Sequence, residues 1–302
     1  MFRKKDVVGL ASSSFSKSLT VLLPTLNEEE ALGHLINDLL EVFDIFPTEF
    51  IVVDGYSTDQ TVELAKAHGF RVVMQGGKGK AGAIESGIKA ASGDWILVMD
   101  SDYTYDPKDV TRFFDKAMEF DEVIGYRNGV NISRVHRIGN WILTKAFNLT
   151  FGTNIPDVAC GMYLLKASKA KSLSFQTHGF VIDQEILAQM LPRVGFVPIH
   201  YRKRIGKPKT TTWRQGFRAL WTILDLARKY NPVFLFSTVA SLSIIPALGL
   251  LSLGAWDYFF LNSYHSGYFF GAILFLVLGS QGISVATIAS LLKRIESRVM
   301  VN

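Results

Sequence analysis

Asp100-Ser101-Asp102 is the part of this sequence best suited to chemistry. Side chains two apart on an extended segment project to the same side, so the two carboxylates can face one hard cation. Mg²⁺ bound this way keeps several waters and takes substrate phosphate oxygens. A solvated loop with Asp102 capping the next turn is the plain alternative. Against it stands Trp95-Ile96-Leu97-Val98-Met99, an apolar run that reads as a buried strand delivering the pair to a sheet edge.

Two further polar clusters follow apolar runs in the same manner. Pro24-Thr25-Leu26-Asn27-Glu28 comes after Leu19–Leu23, and Asp54-Gly55-Tyr56-Ser57-Thr58-Asp59 after Phe50–Val53. A single such cluster is an ordinary helix cap; three at equivalent strand ends indicate one site. Gly76-Gly77-Lys78-Gly79-Lys80-Ala81-Gly82 resembles a phosphate loop, but a Walker loop needs Ser or Thr where Ala81 stands. The kinase and ATPase readings fail there, leaving a plain turn or a basic turn at a helix start that touches a nucleotide. Asp183-Gln184-Glu185 sits at the start of a helix expected over Val181–Leu191, where acidic groups suit the dipole; an acceptor-side role is the alternative. The six histidines show no ligand spacing, and the lone Cys160 permits no intrachain disulfide.

These clusters need a scaffold, and the alternation of short β-rich runs with amphipathic stretches supplies one. Strands are expected at Leu19–Leu23, Phe50–Val53, Arg71–Met74, Trp95–Met99 and Glu122–Gly125. Helices are expected at Glu28–Phe43, Gln60–His68, Ala81–Ala91 and Pro107–Glu119. That order predicts an α/β fold with a mostly parallel sheet, whose ligands bind beyond the carboxyl ends of the strands.

The 302 residues are 48% hydrophobic and 20% charged, which excludes disordered and low-complexity classes. A formal charge of +5 is too small to argue for nucleic acid. The mean hydropathy of +0.21 is high for a soluble enzyme, and the excess is local. Pro232–Trp256 has 25 residues and Tyr258–Leu292 has 35 without Asp, Glu, Lys or Arg. About 20 apolar residues cross a hydrocarbon core, so spans are expected near Val233–Leu253 and Tyr268–Leu291, with a turn over Asp257–Gly267. Arg228 and Lys229 before the first span, and Lys293, Arg294 and Arg298 after the second, place both outer ends in the cytoplasm. Between Ile186 and Leu224 stand eight basic residues and no acid. Within that block Trp213, Phe217, Leu220, Leu224 and Ala227 form the apolar stripe of an interfacial helix on the headgroups. The resulting division is a loose tail at 1–17, a catalytic domain at 18–210, an interfacial helix at 211–230 and a two-span hairpin at 231–302.

The motifs Pro24-Thr25-Leu26-Asn27-Glu28, Val52-Val53-Asp54, Ser57-Thr58-Asp59, Asp100-Ser101-Asp102 and Gly125-Tyr126-Arg127 resemble those of family 2 glycosyltransferases. Arg204-Ile205-Gly206-Lys207-Pro208-Lys209 narrows the resemblance to the dolichyl-phosphate mannose synthase group. It covers about residues 18–230 and implies a GT-A (Rossmann-like) nucleotide-sugar transferase. It implies that Pro24, Leu26, Glu28 and Asp54 hold the nucleoside, and that Asp100 and Asp102 bind Mg²⁺ or Mn²⁺ on the diphosphate, with Ser101 beside them. Arg127 and Lys209 would contact the diphosphate, and Arg137, Arg204 and Lys209 the lipid phosphate. Asp102, Arg127 and Arg204 would carry catalysis.

Three departures bear on the donor. Leu26 stands where the family usually has Tyr, Asp54-Gly55-Tyr56-Ser57 where Asp-Asp-Gly-Ser is common, and Thr104 where Gln often follows the metal pair. GDP-mannose and a UDP-hexose are therefore both open as donors. The implied reaction is inverting transfer of one hexose (mannose, glucose or N-acetylglucosamine) to dolichyl or polyprenyl phosphate for protein glycosylation. Membrane lipids, and no nucleic acid, are the other expected partners. Two alternatives remain. A processive polysaccharide synthase would carry Gln-x-x-Arg-Trp, but Gln215-Gly216-Phe217-Arg218 is followed by Ala219. A non-catalytic membrane-anchored nucleotide-binding partner would not need the intact Asp100/Asp102 pair. Asn131-Ile132-Ser133 and Asn148-Leu149-Thr150 match the glycosylation sequon, but the expected topology places them in the cytoplasm.

Overall fold

The computed structural model describes residues 18–44, 47–127, 131–175, 181–206, 221 and 223–299. The expected tail at 1–17, Lys209 and most of the interfacial stripe lie outside them. The chain divides into two compact units, Met1–Thr222 and Ile223–Asn302.

In the first unit seven strands form one sheet in the order β3-β2-β1-β4-β6-β5-β7. They are β1 (Leu19–Thr25), β2 (Thr48–Asp54), β3 (Arg71–Met74), β4 (Trp95–Met99), β5 (Glu122–Arg127), β6 (Met162–Lys166) and β7 (Val194–Ile199). The five expected strands are present. Pairing is parallel from β3 through β4, as the strand–helix alternation requires. β6 then runs antiparallel between β4 and β5, and β5 pairs in parallel with β7. The sheet is therefore mixed. The sequence reading did not include β6 or β7.

The crossover helices are α1 (Glu29–Phe43), α2 (Thr61–Ala67), α3 (Gly79–Ala90) and α4 (Val110–Ala117). On α1, Leu32, Leu35, Ile36, Leu39 and Phe43 are buried at helical spacing, which fixes that face on the sheet. Every residue of β4 is buried, as expected of a strand covered on both faces. After β5 come α5 (Arg134–Phe151), a one-turn helix at Ala167–Ala170, and α6 (Ile182–Met190), which precedes β7. α5 starts at an N-cap serine, Ser133, and ends at Gly152 in the left-handed region (φ 66°).

In the second unit α7 (Pro232–Phe260) and α8 (Ser266–Val299) form an α-hairpin. The connection is tighter than expected: Asp257 belongs to α7, and only residues 261–265 lie between the helices. Both helices are long and apolar enough to cross a membrane, with mean hydropathies of 2.0 and 1.9 in their most apolar windows. Gly279 packs against Ile244 and Gly282 against Ala240, where the missing Cβ lets the helices approach closely. Thr238, Ser241, Ser243, Ser252, Ser280, Ser284 and Thr287 each donate their hydroxyl to a carbonyl one turn back, so none presents an unmatched polar group outward. In the described helical segment 223–230, Ile223, Leu226 and Ala227 are buried while Leu224 is 52% exposed. Leu224 and Ala227, the described members of the expected stripe, thus differ in burial.

Candidate active site

The polar clusters meet at the carboxyl edge of β1, β2 and β4. The β1 and β2 loops are tied together. Asn27 donates its backbone N–H to Ser57 Oγ (2.8 Å) and accepts the Thr58 N–H on its side-chain oxygen (2.7 Å). Asp54 closes β2 fully buried; its Oδ2 accepts the Ser57 N–H at 2.8 Å, while Oδ1 has no hydrogen-bond partner among the described residues. Buried polar atoms are normally matched, so an orphaned carboxylate oxygen at a sheet edge marks a place for a donor on a ligand. Leu26, at the position where the family usually has Tyr, is 43% exposed beside it and presents an open apolar surface.

β4 ends at Met99, and Asp100, Ser101 and Asp102 follow it in the loop beyond the sheet edge. Ser101 turns away from the two acids; it is buried, and its hydroxyl donates to the Pro24 carbonyl at 3.0 Å. That bond ties β4 to β1, so the structure gives Ser101 a scaffold contact where a nucleotide-sugar contact was expected. Asp102 Oδ1 accepts the Thr104 hydroxyl (2.5 Å) and N–H (3.2 Å), and its Oδ2 accepts from Arg204 (2.5 Å). Thr104, which replaces the family's glutamine, thus orients one acid of the pair. Burial and then the charge of Asp100 push the Asp102 carboxyl above its ordinary range, against Thr104 and Arg204.

Asp100 lies against the backbone of Gly161, just before β6. A Cβ at Gly161 would fall inside van der Waals contact with its Oδ2, so only glycine leaves room for the acid. The Gly161 N–H in turn donates to the buried Tyr105 hydroxyl oxygen at 2.7 Å. Asp100 Oδ1 takes the Lys80 ammonium at 2.8 Å, and the same ammonium lies 2.8 Å from Asp183 Oδ2. The glycine-rich turn therefore does place a basic group at the site, through Lys80. Asp183, read chiefly as a helix-start acid, is buried there and also accepts the Tyr163 hydroxyl at 3.0 Å.

Arg204 bridges Asp102 and Glu28, each at 2.5 Å, and so joins the β1 loop to the β4 loop. Its Nε is buried without a partner among the described residues, leaving one donor for an anion. Arg127 was expected on the diphosphate. Instead it is 8% exposed and bidentate to Asp157 at 2.7 and 2.9 Å, with its guanidinium 5.3 Å from the centre of the Tyr201 ring. Arg137 is exposed on α5, and no described contact joins it to this cluster. The Cys160 thiol is fully buried, and burial pushes it up to about 12, which makes it inert.

Among the described residues no three His, Cys, Asp or Glu gather as a metal cage. Two neighbouring carboxylates, with basic groups beside them, fit a hard divalent cation that takes its remaining ligands from water and substrate phosphate oxygens.

α5 has two apolar faces. Leu143, Thr144, Phe147 and Thr150 are buried inward. On the opposite arc Val135, Ile138, Trp141, Ile142 and Leu149 are between 42% and 72% exposed, and the helix carries Arg134, Arg137 and Lys145 but no acid.

A model of the glycosyl transferase family 2 matches residues 20–174. Glycosyltransferase AglJ of Haloferax volcanii is 30% identical over 253 residues, 80% of this chain and 82% of that protein. A dolichyl-phosphate hexose transferase of the same organism is 28% identical, covering 66% of this chain and 89% of its own. The undecaprenyl-phosphate 4-deoxy-4-formamido-L-arabinose transferase of Pectobacterium atrosepticum is 24% identical over 94% of this chain and 90% of that one. Among solved structures, Mycobacterium tuberculosis glucosyl-3-phosphoglycerate synthase with Mn²⁺, uridine diphosphate and glucosyl-3-phosphoglycerate superposes with a TM-score of 0.63. It is 22% identical and covers 76% of this chain and 86% of that one, a likeness of fold. With the sheet, its acidic edge and these matches in agreement, the chain belongs to glycosyl transferase family 2.

Proposed function

We propose that the chain is a membrane-anchored, inverting hexosyltransferase that moves one sugar from a nucleotide sugar, GDP-mannose or a UDP-hexose, to dolichyl or polyprenyl phosphate. The observation that carries this is the acidic pair Asp100/Asp102 with Arg204 bridging Asp102 to Glu28, one buried Nε donor still open. The open Asp54 oxygen suits an N–H of a nucleotide base. A lipid phosphate is ionised at neutral pH, so the attacking oxygen needs no strong base. Positioning and neutralisation of the leaving diphosphate then supply the rate. Mg²⁺ or Mn²⁺, held by Asp100 and Asp102, would supply charge stabilisation of that diphosphate.

Three features support a lipid acceptor. The relatives named for dolichyl and undecaprenyl phosphate match most of this chain. The hairpin is apolar on all sides, with Leu242, Ile245, Leu248, Phe270, Leu274 and Ile288 exposed. The outward arc of α5, apolar with basic residues and no acid, suits an anionic bilayer surface in which Trp141 and Ile138 seat at headgroup level while Lys145 and the arginines reach phosphates. Basic residues at both outer ends of the hairpin favour a cytoplasmic catalytic domain and cytoplasmic termini.

The test is transfer by the detergent-purified chain, given Mn²⁺ or Mg²⁺, dolichyl or shorter polyprenyl phosphates and a panel of labelled nucleotide sugars. Metal-dependent label in the lipid phase from one donor establishes the reaction and the sugar. No label from any donor with either acceptor overturns the reading in favour of a non-catalytic nucleotide-binding partner.

A further inference from the structure

Three of the four oxygens of the acidic pair hold a polar or charged protein group. Asp100 Oδ1 holds the Lys80 ammonium, and Asp100 Oδ2 lies against the Gly161 backbone. Asp102 Oδ1 holds Thr104, and Asp102 Oδ2 holds Arg204. Two of those partners are cations standing where a divalent ion would bind. Lys80 is the more firmly seated. Its side chain is only 10% exposed, its ammonium is shared with buried Asp183, and the two acids raise its pKa against the effect of burial. The turn that carries it is tightly built: a Cβ on Gly82 would collide with the Gly77 backbone, and Gly79 takes a φ of 62°.

A divalent ion arriving alone meets the ammonium already on Asp100 Oδ1, and crowds two like charges in a low-dielectric pocket or must displace it. A nucleoside diphosphate removes that conflict, because its oxygens accept the displaced ammonium and complete the coordination of the ion.

We propose that Lys80 gates the metal site. Its ammonium, clamped between Asp100 and Asp183, excludes the divalent ion until a nucleoside diphosphate draws it away, so that metal and nucleotide load together. The inference deepens the metal assignment at the proposed site and rests on it.

Mn²⁺ binding to the full-length chain in detergent, followed by the free-Mn²⁺ electron paramagnetic resonance signal, reads this without any turnover. Wild type should bind Mn²⁺ weakly alone and about tenfold or more tightly with UDP or GDP present. Lys80→Met keeps the length of the side chain without its charge. It should bind Mn²⁺ alone about tenfold more tightly than wild type, with a smaller gain from nucleotide. Lys80→Arg should keep the wild-type pattern. Thermal melting checks that each variant is folded, and Lys80→Gln replaces the methionine variant if that one fails to fold. An Mn²⁺ affinity that is unchanged or lower in the neutral variant overturns the gate. Asp102→Asn separates the two ideas: if it leaves wild-type Mn²⁺ binding intact, the metal assignment itself falls and the gate with it. If it abolishes binding while Lys80→Met fails to tighten it, the gate alone falls.

Discussion

The two ends of the active edge handle a buried carboxylate in opposite ways. At the β2 end Asp54 is fixed by a backbone N–H on one oxygen and leaves the other open. At the β4 end Asp100 and Asp102 each hold a cationic side chain, Lys80 and Arg204. The first is a rigid socket ready for its ligand, and the second is a shuttered one that must rearrange. Preorganisation favours affinity at the first, whereas rearrangement makes binding at the second conditional on a partner.

The severest way to break the contrast is at the shuttered end. Asp102→Ala should abolish metal-dependent transfer while the far-ultraviolet circular dichroism and the melt stay near wild type; near-normal turnover in a folded variant would sink the metal assignment. Gly161→Ala should come next. A methyl pressed on Asp100 must shift the acid, and a displacement of this kind costs roughly a hundredfold in rate, measured as kcat at saturating donor. At the open socket Asp54→Asn should instead act on the donor KM, raising it by about tenfold with a smaller change in kcat. A kcat loss without a KM change would remove Asp54 from nucleotide recognition. Away from both ends, Ile138→Glu on α5 should raise the apparent KM for polyprenyl phosphate in vesicles and leave the donor KM unchanged. An unchanged acceptor KM would detach α5 from the bilayer.

The smallest effect concerns stability. Glu122 on β5 is fully buried, neither carboxylate oxygen has a hydrogen-bond partner among the described residues, and burial, with Asp183 nearby, raises its pKa well above the ordinary range. A folded-state pKa above the unfolded value gives stability that is fully present below the unfolded pKa and is lost as pH rises through the folded one. Glu122→Gln should therefore melt higher than wild type at pH 8, with the gap narrowing toward pH 5. A gap that widens on acidification would contradict the assignment.

Much of this edge was legible because strand ends announce themselves. An apolar run stopping at Asp54 or at Asp100-Ser101-Asp102 fixes which residues reach the edge, and period two separates Ser101 from its neighbours. The contacts that decide the chemistry were not legible. Lys80 meets Asp183 across 103 positions and Arg204 meets Glu28 across 176, and no spacing rule links such residues. β6 escaped because Met162–Lys166 inserts antiparallel between strands far earlier in the chain, outside the strand–helix rhythm. α5 was hidden by having two apolar faces, so its pattern does not reduce to one stripe. The sequon asparagines prove to be structural: Asn131 donates to the Tyr201 carbonyl and Asn148 to that of Ile155.

The place of β6 also sets an order of events during synthesis. Until Met162–Lys166 has left the ribosome, one edge of the wholly apolar β4 stays unpaired. An open edge of that kind is a template for association with other chains. The same insertion brings Gly161 against Asp100, and Arg204 follows later still, so the nascent chain carries its acidic pair well before it carries an enzyme. Ribosome-stalled chains ending before residue 160 should therefore be chaperone-dependent and protease-sensitive at β4. Chains stalled after β7 has emerged should be resistant there, and equal sensitivity in the two would refute that order.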